Sequence, residues 1–195
     1  MTHYILGIDP GFASVGYAVV ALGNEPQNDF PVRMGVIRTQ KANEKRKVRA
    51  SEDNLERAKE IAKEIQTLLT LYPTSLICAE TMSYPRNSAA AAKMAICWGV
   101  LAAIAQQRGI AITQASPQEV KKAVCGKKDA SKDEVKAALD AFFPATLTGL
   151  AGLCAKIPAS VQEHPYDALA AVIACRDSEV FLLARRMATC AASTG

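Results

Sequence analysis

The chain has 195 residues, of which half are hydrophobic and 22% charged, with a net charge of +4. That is one domain's worth of chain with enough apolar side chains for a sizeable core, which excludes disorder throughout and predicts a soluble globular protein. With so small a net charge, where the charges sit matters more than their sum.

The N-terminal "MTHYILGIDPG" lacks the basic region and small-residue cleavage site of a secretory signal. Tyr4 to Ile8 reads as a strand and Val15 to Ala21 as a second, with turn chemistry from Pro10 to Ser14 between them. Asp9 stands out, because a carboxylate in or beside an apolar strand is costly unless something pairs with it. The proline-flanked loop 23–31 leads to a third strand over 32–39, so the start of the chain predicts an antiparallel meander. A basic loop over 41–49 follows, with five bases against Glu44. Leu55, Ala58, Ile61, Ala62, Ile65, Leu68 and Leu69 then recur at helical spacing, predicting a helix from near Ser51 that stops before Pro73. "SLICAE" (75–80) reads as an apolar strand ending on Glu80. An alanine-rich helix is expected over 88–108, closed by Gly109, and then the strand "IAITQA". Lys93 and the terminal Gln106-Gln107 make that helix a buried or interfacial one rather than a membrane span.

Two helix starts are legible as capping boxes, "SPQE" at 116–119 and "SKDE" at 131–134, each with Ser at the N-cap and Glu at N3. The stretch 120–136 holds six lysines against three acids, and with 41–49 it offers a phosphate-contacting surface. Residues 145–163 read as a loop, and "HPYDALAAVIACRDSEVFLLARR" as a single final helix with Pro165 in its first turn. The order βββ-α-β-α-β-α-α-α implies an α/β fold with a mixed five-stranded sheet, its first three strands antiparallel and helices on both faces. That is the element order of the ribonuclease H-like superfold. One domain over 1–195 is expected, with 41–49 and 145–163 as insertion-like loops. The six cysteines include no CxxC pair, which disfavours zinc and predicts free thiols in a reducing cytoplasm.

Sorting the acids by context isolates three. Asp9 and Glu80 close the two most apolar strands, and Asp167 lies in the first turns of the last predicted helix, followed by "ALAAVIAC". If those strands are neighbours, Asp9 and Glu80 face one end of one crevice. Carboxylates brought together need a cation or a shared proton, and hard oxygen donors favour Mg²⁺ or Mn²⁺. His164, three residues before Asp167, shares its helix face and joins the set.

Four blocks, "ILGIDPG" with "GYAVV", "ICAETMSYPRN", "VKKAVCGKKDASKDEV" and "HPYDALAAVIAC", resemble the RuvC Holliday-junction resolvases, in that family's order and over nearly the whole chain. The resemblance implies a cytoplasmic, dimeric, ribonuclease H-like endonuclease that nicks two strands of a four-way DNA junction. It places Asp9, Glu80 and Asp167 on the family's catalytic, metal-holding acids, and His164 where many members have a fourth Asp and some have His. Two ions per site are implied, Mg²⁺ with Mn²⁺ as a substitute, and products with 5′-phosphate and 3′-hydroxyl ends. Lys121 and Lys132 match basic positions used at DNA; Lys127, Lys128, Tyr84 and Arg86 are further expected DNA contacts. Tyr84 stands beside Ser83, where some members carry an aromatic residue. Helix 88–108 is the expected homodimer face, and a branch-migration motor is a partner left open.

The readings that compete are a broader branched-DNA or flap nuclease of the same family and a junction-binding protein without chemistry. Intact Asp9, Glu80 and Asp167 argue against the second. A sugar-kinase or actin-type ATPase needs a second similar domain, for which the chain is too short. Proofreading exonucleases of this superfold carry an acid two residues after the first Asp, where this chain has Gly11.

Overall fold

The computed structural model describes residues 2–42, 48–82, 87–143 and 149–193. Five strands, β1 (Tyr4–Asp9), β2 (Ser14–Ala21), β3 (Phe30–Arg38), β4 (Thr74–Glu80) and β5 (Ala111–Ala115), make one sheet in the order β3-β2-β1-β4-β5. The first three pair antiparallel, while β4 joins β1 and β5 joins β4 in parallel. Helix α1 (Ala50–Leu71) and helix α2 (Ser88–Arg108) are the crossovers that parallel pairing requires. Both lie where the periodicity predicts them.

Alternation along β1 divides the core in two. Leu6 and Ile8 pack with Ile61, Ile65 and Leu101 of α1 and α2 on one face of the sheet. Ile5 packs on the other face against α6 (Glu163–Cys175), where Leu169 and Val172 are fully buried. Helices α3 (Pro117–Cys125) and α4 (Lys132–Phe142) cover α6 and start on the two predicted capping boxes. Ser116 N–H donates to Glu119 at 2.7 Å and Ser131 N–H to Glu134 at 2.8 Å, satisfying donors that a helix start leaves open.

Two expectations are corrected. The final helix is two: α6 ends at Cys175 and α7 spans Glu179–Ser193. Ser178 makes the break, its hydroxyl donating to the Cys175 carbonyl at 2.8 Å and accepting from Phe181 N–H at 3.3 Å. Arg176 and Arg185 turn to the buried carboxylate of Asp29 on the β2–β3 connection, a geometry that one straight helix would not reach. Residues 145–163 are not simply a loop. Their described part carries α5 (Gly149–Leu153) and a 3₁₀ turn at Ala159–Val161, with Leu150 and Cys154 in the core. Of the two readings of α2, buried or interfacial, full burial does not hold. Only Cys97, Leu101, Ile104 and Ala105 are buried, and an apolar face of small residues stays exposed. By length and its mean hydropathy of 1.7 this helix would also pass for a membrane span.

Candidate active site

The sheet places the first two acids. With Ile8 opposite Ala79 in the parallel β1–β4 pair, Asp9 and Glu80 leave neighbouring strands side by side at their carboxyl ends. That edge is where open α/β sheets bind ligands. Thr81 N–H donates to the Ala115 carbonyl at 2.9 Å, so β4 stays paired just past Glu80.

Two glycines bring in the rest. A Cβ on Gly16 would stand 2.2 Å from the His164 carbonyl oxygen, and one on Gly7 would stand 2.2 Å from that of Ala168. Only glycine lets the backbone of α6 sit so close to the sheet. His164 in the first turn of α6 thereby reaches Asp9, its Nδ1–H donating to Oδ2 at 2.7 Å. Asp167 follows one turn later. Asp9, Glu80, His164 and Asp167 line a cleft of about 340 Å³, walled by Pro117, Val120 and Val135 and rimmed by Lys121 and Lys132.

Burial and crowding set the electrostatics. Glu80 is pushed up to about 7, first by burial and then by Asp9 and Asp167, with Lys132 and Lys121 pulling the other way. Asp167 rises to about 6 for the same reasons, burial ahead of Asp9. His164 is raised chiefly by its hydrogen bond to Asp9. These are groups that hold protons until a cation replaces them. Among the described residues no three His, Cys, Asp or Glu side chains close into a ligand cage. The four side chains instead line the cleft as an open, oxygen-rich set with one imidazole, in which His164 pairs with Asp9.

Lys121 and Lys132 stand at the cleft as expected, but Lys127 and Lys128 do not line it. Lys127 is held by Glu134 at 2.5 Å. Tyr84, Arg86, most of the basic loop 41–49 and the start of 145–163 lie outside the described residues. Sequence reasoning missed Glu163, which accepts from Lys132 Nζ at 2.6 Å and competes for it with Asp167 at 3.9 Å. Its one signal was its place next to His164 at the helix start.

Comparison with known proteins bears on the fold and the family. The family model described as crossover junction endodeoxyribonuclease RuvC matches residues 5–145, which hold Asp9, Glu80, Lys121 and Lys132 but end before α6. A crossover junction endodeoxyribonuclease RuvC of Pseudothermotoga lettingae is 32% identical over 134 residues, 68% of this chain and 75% of the relative. One of Pelodictyon phaeoclathratiforme is 32% identical over 67% of this chain, which spans 63% of that relative. Among solved structures, Thermus thermophilus RuvC in complex with a Holliday junction substrate superimposes with a TM-score of 0.68 at 22% identity, covering 88% of this chain and 91% of that one. The yeast mitochondrial Holliday junction resolvase Ydc2 gives 0.60 at 13% identity, over 95% of this chain and 84% of that one. The strand order and these neighbours make the fold ribonuclease H-like, and the sequence matches make this chain a member of the RuvC family of crossover junction endodeoxyribonucleases.

Proposed function

We propose that the protein resolves four-way DNA junctions by paired metal-dependent nicks, with Asp9, Glu80, His164 and Asp167 as the catalytic and metal-holding residues of one nuclease domain. The observation that carries this reading is the meeting of those four side chains in a cleft rimmed by Lys121 and Lys132. A RuvC relative whose structure holds a Holliday junction substrate supports the choice of DNA.

Two divalent ions bound there, Mg²⁺ or Mn²⁺, would supply an activated water and stabilise the leaving 3′-oxygen, giving 5′-phosphate and 3′-hydroxyl ends. The chain's own residues do the rest. Asp9 would serve both ions, and Glu80 and Asp167 would hold one each. His164 would release a proton on joining them. Lys121 and Lys132 neutralise the phosphates beside the cut, while Lys127 and Lys128 meet backbone farther out. The exposed small-residue face of α2 suits a homodimer, which sets two sites for two strands. Bacterial relatives and six free cysteines support a cytoplasmic setting.

The test is one gel with four-way junction, flap and plain duplex, run with Mg²⁺ and then Mn²⁺. Junctions are expected to be nicked on two strands and duplex left intact. Equal cutting of flaps would favour the broader branched-DNA nuclease. Binding with no metal-dependent cut would favour the non-catalytic binder.

A further inference from the structure

A second charged cluster lies behind the cleft, and the reading above does not use it. Arg57 of α1 is 6% exposed, with its guanidinium 4.4 Å from the centre of the Phe12 ring. Its Nε donates to Thr39 Oγ1 at 2.9 Å and a terminal nitrogen to the Phe12 carbonyl at 3.4 Å. Thr39 in turn donates its hydroxyl to the same carbonyl at 2.6 Å and its N–H to the Ala13 carbonyl at 3.0 Å. Among the described residues, Asp53 is the one carboxylate paired with this guanidinium, at 3.7 Å.

A buried guanidinium with one loose carboxylate is a poor way to stabilise a core, since an apolar side chain of similar volume commonly does as well. What Arg57 adds is geometry. Its planar fork and flat face grip one residue, Phe12, by carbonyl and ring together, which a lysine cannot do. Phe12 sits in the turn between Asp9 and Ser14, and Asp9 pairs across that hairpin with Gly16, the residue under His164. Two successive carbonyls of the turn are thus tied to the end of β3 and to α1.

We propose that Arg57 is a positioning residue for the nuclease site, acting with Thr39 on the Phe12–Ala13 turn to fix Asp9 against His164; this rests on Asp9 being a site carboxylate. Misplacing a reacting group by about 1 Å costs roughly 10²-fold in rate. Arg57→Met and Arg57→Lys are expected to slow single-turnover nicking by about that factor, at saturating junction and Mn²⁺. Both are expected to weaken Mn²⁺ binding to the protein alone, read by electron paramagnetic resonance, while metal-free junction binding holds. Thr39→Val is expected to be slow and Thr39→Ser, which keeps the hydroxyl, to nick at the wild-type rate. If the Arg57 variants do not fold, the Thr39 pair decides. Folded Arg57→Met with wild-type rate and Mn²⁺ affinity, or equal rates for the two Thr39 variants, overturns the proposal. Asp9→Asn run alongside separates the two ideas: nicking by that variant removes the site reading itself.

Discussion

Asp9, Glu80, His164 and Asp167 crowd one cleft, a problem that the proposed metal would solve, and its pH dependence can be measured. Glu80 sits at about 7 in the folded chain against an ordinary 4.5, and Asp167 at about 6 against 3.8. Between those limits the folded state holds protons that the unfolded chain has lost, so this site's contribution to metal-free stability is present in acid and lost as pH rises through 7. His164, also raised, acts in the same direction. Glu80→Gln should therefore raise the thermal midpoint of the metal-free protein more at pH 8 than at pH 5. An equal rise at both would mean that Glu80 is not crowded. Mn²⁺ affinity should climb over the same range, because the ion must displace those protons; calorimetry at several pH values reads this. Of these four side chains, the sequence alone exposed all by context, two at strand ends and two a helical turn apart. Glu163 and Arg57 were not legible, since a charged residue on a helix reads as solvated until the fold shows what it meets.

At the scale of elements, the seating of α6 on the sheet decides whether the site exists. Gly16→Ala would drive a Cβ to within 2.2 Å of the His164 carbonyl. Overpacking of this kind typically costs about 1–3 kcal/mol. Because the atom displaced belongs to the helix carrying His164 and Asp167, nicking should fall far more than folding. A junction assay on the folded fraction checks it, and near-normal nicking would show that α6 has room to shift. A separate anchor holds α7: Asp29, with no exposed side chain, faces Arg176 and Arg185. Removing it as Asp29→Ala takes away the buried carboxylate that both guanidinium groups face and should cost about 3–5 kcal/mol in denaturant unfolding. Element order and the crossover helices were readable from period and capping signals, whereas the pairing of β1 with β4 entered only as a condition. The break at Arg176–Ser178 was not read, because its cause is a buried carboxylate more than a hundred residues earlier and one N-cap serine in the short charged stretch 176–179.

For the whole molecule, paired cutting needs two sites, and α2 is the surface proposed to bring two chains together. Its outer side carries Ala92, Ala95, Gly99, Ala102 and Ala103, all exposed, over a buried seam at Cys97, Leu101 and Ile104. A side chain added at Gly99 meets nothing within 4 Å. Gly99→Arg should thus spare the fold of one chain while blocking close approach of another. Sedimentation should show a monomer, and junctions should be nicked one strand at a time. A dimer that still cuts in pairs would move the interface elsewhere.

The central claim is that Asp9 belongs to the chemistry and not to the fold or to DNA binding. Its direct test is Asp9→Asn, assayed for junction binding without metal and for nicking with Mg²⁺ and Mn²⁺. The expected result is a folded protein that binds the junction as the wild type does and cuts neither strand with either ion. Cleavage by that folded variant at the wild-type rate would contradict the account.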